Sequence, residues 1–280
     1  MDRFAGRNMI VTGASRGIGA ALAQRLAAEG ANLVLVARTV EKHDHLAGSL
    51  NETLDVCREY GTKVVALAAD LVDPASRATI VPRSLDIFDG RLDVLVNNAA
   101  AAIYMPTSEY PYKRQRIMFE VNVHAPIELA QAAIPTMIAQ GEGWIINVSS
   151  GSAKHASGPP FRTEGVATKI GIYGSTKAAL NRMTNALAVE LYGTGVRVNT
   201  VEPRAGVMSE GAEALVGGII REDQIESMEA MVEGAIVLCD CPPEHTGRIE
   251  VSLDLLDQLG VTVMTLDGRR PYPGGQRVAK

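Results

Sequence analysis

Tyr173 and Lys177 stand four residues apart at the head of an apolar run that continues Ala178-Ala179-Leu180. In a helix this spacing stacks the phenol and the ammonium on one face. A free tyrosine titrates near 10, too high to exchange protons readily at neutral pH. A cation about 4 Å away, at an effective dielectric near 20, contributes roughly 4 kcal/mol, or about three pKa units. The pair therefore points to a tyrosine that serves as general acid or base near pH 7. A helical Tyr and Lys also fall four apart without any chemistry, so the elements around them must decide.

The first of those elements is a glycine-rich turn. Met9 to Thr12 is a short apolar run, Gly13-Ala14-Ser15-Arg16-Gly17-Ile18-Gly19 follows at once, and a helix-period stretch runs from Ala20 to Glu29 and stops at Gly30. Strand, glycine turn and helix in this order suit a dinucleotide, because glycines let the backbone approach a pyrophosphate and the helix N-terminus faces its charge. The spacing is G-x-x-x-G-x-G, not the commoner G-x-G-x-x-G. Leu33 to Val36 reads as a second strand, with Ala37 and Arg38 beyond it. An acidic residue there would bind the ribose 2′-hydroxyl of NAD. Arg38, helped by Arg16 from the turn, suits a 2′-phosphate instead, so NADP is expected over NAD.

Strand and helix patterns then alternate. A helix about 40–60 is closed by Gly61, and Lys63 to Ala68 forms a third strand ending at Asp70, where a carboxylate can meet the adenine edge. A helix from Pro74 to Phe88 leads to a strand from Leu92 to Val96, ending in Asn97-Asn98-Ala99-Ala100. Lys113 to Gln140 is helical and contains Asn122. Trp144 to Val148 is a strand with Ser149-Ser150 at its carboxyl end, the side on which open parallel sheets bind ligands. Val196 to Val201 is another strand, followed by Pro203-Arg204. Residues 209–238 read as helices broken at Gly217-Gly218. The chain closes with an apolar run from Ile249 to Leu253, a short helix near Leu255 and a strand-like run from Val261 to Leu266. Strands apolar on both faces imply a parallel sheet covered on both sides. The expected fold is α/β, a doubly wound parallel sheet of about seven strands in a Rossmann-like three-layer α/β/α arrangement. Residues 1–280 read as one dinucleotide-binding and catalytic domain, with an inserted loop about 152–172 and a C-terminal extension about 254–280.

Composition narrows the partners. A net charge of −5 and a pI near 5.6 offer no basic field for nucleic acid or an anionic membrane. With a strand-like start near Asn8 no targeting peptide is expected, and no eighteen-residue apolar run occurs. Three cysteines, an odd number, fit a reducing compartment, so a cytoplasmic location is expected. Cys239, Cys241 and His245 supply at most three soft ligands where structural zinc wants four, and His43, His45, His124 and His155 show no metal spacing, so no metal is expected. The surroundings of Ser150 do not form a glycine-flanked nucleophile elbow. The helices around 121–139 and after Tyr173 are apolar on more than one face, which implies a homodimer or homotetramer.

Taken together these residues resemble the short-chain dehydrogenase/reductase superfamily, in its compact single-domain form. The resemblance covers about residues 6–253 and rests on Thr12-Gly-Ala-Ser-Arg-Gly-Ile-Gly19, Asp70, Asn97-Asn98-Ala99, Asn122, Ser150, Tyr173 with Lys177, and Arg197-Val-Asn199 leading to Pro203. It implies hydride transfer between a nicotinamide and a carbonyl or alcohol carbon. Tyr173 would be the proton donor or acceptor, and Lys177 would lower its pKa while holding the nicotinamide ribose. Ser150 would polarise the substrate oxygen, and Asn122 would help position Lys177. The implied cofactor contacts are Gly13, Ser15, Arg16, Gly17, Ile18, Gly19, Arg38, Asp70, Leu71, Asn98, Tyr173, Lys177 and Pro203.

Four features depart from the family pattern: Ala100 and Arg204 stand where glycine is usual, the chain runs on past Leu253, and twenty-three positions separate Ser150 from Tyr173, more than is common. Two other readings stay open, a dehydratase or epimerase on the same scaffold and a non-catalytic NADP-binding sensor. An intact Tyr, Lys, Ser and Asn set argues against the sensor. The extra residues carry Gly158-Pro159-Pro160, Phe161 and Arg162. They are expected to form a lid beside the pocket, with Arg162 as its charged contact.

Overall fold

The computed structural model describes residues 2–41, 47–216 and 225–275; His43, His45 and Gly217-Gly218 lie outside them. Seven parallel strands form the sheet in the order β3-β2-β1-β4-β5-β6-β9. They are β1 (Asn8–Thr12), β2 (Asn32–Ala37), β3 (Val64–Ala68), β4 (Val94–Asn97), β5 (Gly143–Val148), β6 (Val196–Glu202) and β9 (Ile249–Val251). Alternate side chains feed two cores. Met9 and Val11 face one and Ile10 the other; Leu33 and Leu35 likewise oppose Val34 and Val36. The first core is closed by helices α1 (Gly17–Ala28), α2 (Leu50–Arg58), α9 (Met228–Leu238) and α10 (Ser252–Leu259). The second is closed by α4 (Ile80–Ile87), α6 (Ala125–Gln140) and α7 (Gly171–Glu190). This is the doubly wound three-layer fold that the strand and helix pattern implies.

Several boundaries differ from the sequence pattern for local reasons. Helix α2 begins at Leu50 rather than near 40, because the Ser49 side chain accepts from the Glu52 amide and caps it there. The stretch 74–88 splits into α3 (Pro74–Arg77) and α4; Pro82 has no N–H to continue a helix and sits in the first turn of α4. The stretch 113–140 becomes α5 (Tyr112–Phe119), a π-turn over Glu120–His124, and α6. The strand-like run Val261 to Leu266 makes one isolated antiparallel bridge, Met264 to Pro271. A short parallel pair, β7 (Gly206–Val207) with β8 (Ile225–Glu226), and α8 (Glu210–Val216) follow β6. No helix among the described residues is long and apolar enough to cross a membrane.

The C-terminal segment is tied to this frame by a buried ion cluster. Arg25 on α1 is 3% exposed and pairs with Glu29 at 2.9 Å and Glu233 of α9 at 2.7 Å. Glu233 also accepts from the Met264 amide at 3.1 Å. Removing one partner of such a cluster leaves uncompensated buried charge, which costs roughly 3–5 kcal/mol. Arg25→Met is therefore expected to lose about that much unfolding free energy in urea titration, with little change in m.

Candidate active site

The glycine turn is held from below by two side chains. Thr12, at the end of β1, donates to the Val96 carbonyl at 3.2 Å and accepts from the amides of Asn98 and Ala99 at 3.0 and 3.1 Å. The Asn98 side-chain amide donates to the carbonyls of Thr12 and Gly13 at 3.0 and 3.3 Å. A Cβ on Gly13 would stand 2.7 Å from Ala99 Cα, and one on Gly19 would collide with the Gly13 carbonyl and the Asn98 amide. Gly13 and Gly17 lie at φ +68° and +55°, where side chains are strained. Helix α1 opens at Gly17 with no side-chain cap from Arg16, so its first amides face the turn unclaimed by a cap. Buried Ser15, half-buried Ile18 and these glycines fit a pyrophosphate.

The residues expected to meet an adenosine stand at the ends of β2 and β3. Arg16 donates to the carbonyls of Ala47 and Gly48 at 2.8 and 3.0 Å, while Arg38, one residue past β2, is exposed. Asp70 accepts from the Val72 amide at 3.0 Å and so shapes its own turn. The next residue, Leu71, is buried, and its carbonyl accepts from Arg77 at 2.7 Å.

At the other end, α7 brings Tyr173 and Lys177 to the carboxyl edge of β5. The Ser150 hydroxyl faces the Tyr173 phenol closely enough to oppose the upward shift of its pKa. Ser150 Oγ also accepts from the Ser152 amide at 3.2 Å and meets Ser152 Oγ at 3.0 Å. Lys177 is 2% exposed and donates to the Val148 carbonyl at 2.8 Å. Its Nζ lies 5.8 Å from the centre of the Tyr173 ring. Tyr104 meets that ring edge-on at 5.6 Å.

The electrostatics differ from the simple pairing argument. Burial pushes the Tyr173 phenol above its usual range and nearby Tyr104 adds to this, while the Ser150 hydrogen bond opposes it. Burial also draws Lys177 down, to about 8. The protein alone does not produce the lowered tyrosine pKa expected from a four-residue spacing. Desolvation dominates both groups, and the ammonium is engaged by a backbone carbonyl.

Asn122 sits in the π-turn, a helix irregularity frequent at functional sites. Its amide exchanges two hydrogen bonds with the Ala101 backbone, at 2.8 and 2.9 Å, and donates to Thr176 Oγ1 at 3.0 Å. Thr176 in turn donates to the Tyr173 carbonyl at 2.7 Å. Asn122 thus reaches α7 between Tyr173 and Lys177.

Pro203 follows β6, and Arg204 turns away from the sheet to pair with Asp254. The Arg204 amide donates to Glu226 of β8 at 2.8 Å, and the Ala205 amide bonds the same side chain. Burial pushes the Glu226 carboxyl up, against these bonds and one from Ser252. The strap built this way brings Ser209 against Gly17. A cavity of about 590 Å³ opens beside the turn, lined among others by Ser15, Arg16, Gly17, Met208 and Ser209. Glu226 and Tyr104 carry no signal in local spacing; Thr12 lies inside the quoted glycine motif, and Ser209 is recognisable as the cap of α8.

Within the loop between Ser150 and α7, Phe161 is 58% exposed and Arg162 is exposed, while the Met105 amide bonds the Lys169 carbonyl at 3.0 Å. Ala100 is exposed, so its methyl meets solvent rather than core. Cys239 and Cys241 are buried with their thiols pushed up by that burial; their sulfurs meet the carbonyls of Ala235 and His245.

A sequence profile of the short chain dehydrogenases matches residues 7–213. The chain belongs to this family. Hydroxysteroid dehydrogenase-like protein 2 of Bos taurus is 29% identical over 259 residues, which are 92% of this chain and 59% of that protein. The chain thus spans less than two thirds of that relative. The crystal structure of a short chain dehydrogenase from Mycobacterium thermoresistibile matches with a TM-score of 0.80 at 28% identity, covering 99% of this chain and 94% of that one. A short chain dehydrogenase from Burkholderia cenocepacia, solved in complex with NADP, matches with a TM-score of 0.73 at 28% identity, covering 89% and 97%. The match agrees with the doubly wound, Rossmann-like sheet described above.

Gly174, beside Tyr173, has no room for a side chain: a Cβ there would collide with the Ser152 carbonyl. Backbone must shift to admit it, which moves the turn bearing Ser150 away from Tyr173. Gly174→Ala is expected to lower kcat by about 10²-fold, the scale of a 1 Å misplacement, with NADPH affinity nearly unchanged. Steady-state kinetics with equilibrium NADPH binding checks this.

Proposed function

We propose that this short-chain dehydrogenase is an NADP(H)-dependent oxidoreductase acting on a carbonyl/alcohol pair of a small molecule. The observation that carries the reading is the convergence of the Ser150 and Tyr173 hydroxyls above buried Lys177, at the carboxyl edge of the sheet that also bears the glycine turn. The NADP complex of the Burkholderia relative supports the cofactor assignment. Gly13, Ser15, Gly17, Ile18, Gly19 and Asn98 would hold or shape the pyrophosphate site. Arg16 and Arg38 would meet the 2′-phosphate, Asp70 and Leu71 the adenine, and Pro203 the nicotinamide end. When bound, the nicotinamide supplies or accepts a hydride at C4.

In the reductive direction Tyr173 donates its proton to the substrate oxygen, and Ser150 donates a hydrogen bond to that same oxygen. Because burial disfavours a free tyrosinate, the phenol is kept protonated and poised as an acid. Lys177, near its titration range at neutral to mildly basic pH, holds the ribose and favours the tyrosinate left behind. Asn122 keeps the Tyr173–Lys177 turn in register through Thr176. The apolar second faces of α6 and α7, with Ile138 and Val189 exposed and Tyr192 exposed just past α7, support a homodimer or homotetramer.

Two experiments test this reading. Tyr173→Phe is expected to lower kcat at least 10²–10⁴-fold on any carbonyl compound the wild type reduces, with NADPH binding nearly intact. Full activity in that variant refutes the role. Ala37→Asp combined with Arg38→Leu is expected to reverse cofactor preference, read as kcat/KM for NADPH against NADH, because a carboxylate repels the 2′-phosphate and accepts from a free 2′-hydroxyl. A wild type that already prefers NADH overturns the NADP assignment.

A further inference from the structure

The carboxyl end of β6 carries an anomaly that the reaction above does not use. Glu202 is the last residue of the strand and is 1% exposed. Both of its carboxylate oxygens are shielded from solvent, and neither accepts an aligned hydrogen bond. On a strand, Glu202 shares a face with Val198 and Thr200. Val198 is core, and Thr200 is satisfied by bonding Thr184 of α7 at 2.9 Å. A valine or threonine would fill position 202 without the cost of drying a charge. One cation stands against it among the described residues: Lys154 Nζ, 2.8 Å from Glu202 Oε1. The pair is lopsided, since the Lys154 side chain is 68% exposed while the Glu202 side chain is dry.

What makes the pair consequential is where Lys154 lies. Ser150 to Lys154 is one rigid turn: Ser150 caps a 3₁₀ segment, Gly151–Ala153, and Lys154 ends it. Inside it the Ala153 amide donates to the Ser150 carbonyl at 2.9 Å and the Lys154 amide to the Gly151 carbonyl at 3.2 Å. The middle of the turn presses its Ser152 carbonyl onto Gly174, next to Tyr173. One end of the turn holds Ser150 against the phenol, and the other is fixed by the ion pair. From His155 to Gly165 every residue is exposed, and the chain is next held at Lys169 by the Met105 amide.

We propose that Glu202 and Lys154 are positioning residues: their ion pair pins the far end of the Ser150 turn to β6 and isolates that serine from motion of the exposed 155–165 loop. This deepens the reading of Ser150 and Tyr173 as the reacting hydroxyls and rests on it. The pin acts through geometry and touches neither substrate nor cofactor. Its loss lets the turn slide on Gly174, which degrades the shared grip of Ser150 and Tyr173 on the substrate oxygen. The same loss unties the loop at its first anchor, so that Arg162, already exposed, becomes a better protease target.

The test compares wild type with Glu202→Gln, Lys154→Met, the double variant and Lys154→Arg. The substrate is the carbonyl compound that wild type reduces fastest with NADPH. Three quantities are read: kcat and KM, NADPH affinity by equilibrium titration, and the rate of tryptic cleavage after Arg162 under native conditions. Glu202→Gln and Lys154→Met are expected to lower kcat about tenfold or more, with NADPH affinity within about twofold of wild type. Cleavage after Arg162 should accelerate severalfold in both. Lys154→Arg, which keeps the charge, should restore wild-type kcat and cleavage. The double variant should be no worse than the weaker single, because both remove the same contact. Where Lys154→Met fails to fold, Glu202→Gln, isosteric and neutral, carries the test. Wild-type kcat and wild-type cleavage in Glu202→Gln overturn the pin. So does full additivity in the double variant. If instead Tyr173→Phe keeps its activity, the assigned reaction fails, and the cleavage rates still decide whether the ion pair ties down the turn.

Discussion

A buried ammonium organises the carboxyl edge of the sheet in this protein. Lys177 is withdrawn from water on the inner face of α7, and an ammonium in that position is stable only if its donors are used. The Val148 carbonyl satisfies one of them, which requires β5 to end where it does and α7 to cross its carboxyl edge at one height. The same residue, drawn down to about 8 by burial, is held where small changes in its surroundings decide its charge. Tyr173 sits in the same dry region and is displaced the opposite way. Two groups with opposite displacements, one turn of helix apart, form a titratable pair whose balance responds to any charge placed beside them. Local spacing creates the neighbourhood, but dryness sets its chemistry.

The interior polar groups keep this arrangement in register with the sheet. Asn97 of β4 donates to Asn147 of β5 at 2.9 Å, Asn147 donates to Thr184 of α7 at 2.9 Å, and Thr200 of β6 reaches the same hydroxyl. This ladder ties three adjacent strands to the helix that carries Tyr173 and Lys177. Unlike an apolar contact, it penalises sliding by one residue, because a displaced partner would leave a buried amide unmatched. The Thr12–Asn98 bonds do the same for the glycine turn. Hydrophobic burial holds the layers together, and these side chains fix where along the layers each element stops.

The legible part of this protein is the part written in short-range spacing. Tyr173 with Lys177, the glycine turn and the doubly wound alternation each declare themselves within a few residues, because a helix turn or a strand–turn–helix has a local period. The start of α2 at Leu50 is equally local, through Ser49 capping the Glu52 amide, yet a helix read from Val40 passes over that cap. The break before Pro82 has the same character. What spacing could not reveal was long-range pairing: Glu226 with the Arg204 amide, Tyr104 against Tyr173, and Lys154 with Glu202, forty-eight positions later in the chain. Nor could it show that desolvation would outweigh the attraction between Tyr173 and Lys177, since burial is a property of the assembled layers. The strand-like run after Val261 fails for a related reason: it passes over α1 and α9, where Glu233 takes the Met264 amide and no neighbouring strand is offered for more than one bridge.

Arg77 shows how the two ends of the site become one object. It is 2% exposed and donates to the Leu71 carbonyl at 2.7 Å, in the turn that would meet the adenine. The same guanidinium pairs with Glu120 at 2.7 Å, at the head of the π-turn that presents Asn122, and with Glu128 of α6 at 2.8 Å. A planar donor with fixed fork geometry can hold a carbonyl and two carboxylates at once only if all three keep their relative positions. The irregular π geometry at Glu120–His124 is therefore braced from the turn after β3, and Asn122 passes that brace to α7 through Thr176. Fixing the turn after β3 thereby also fixes the residue that keeps Tyr173 and Lys177 in register, with every link a buried or half-buried hydrogen bond.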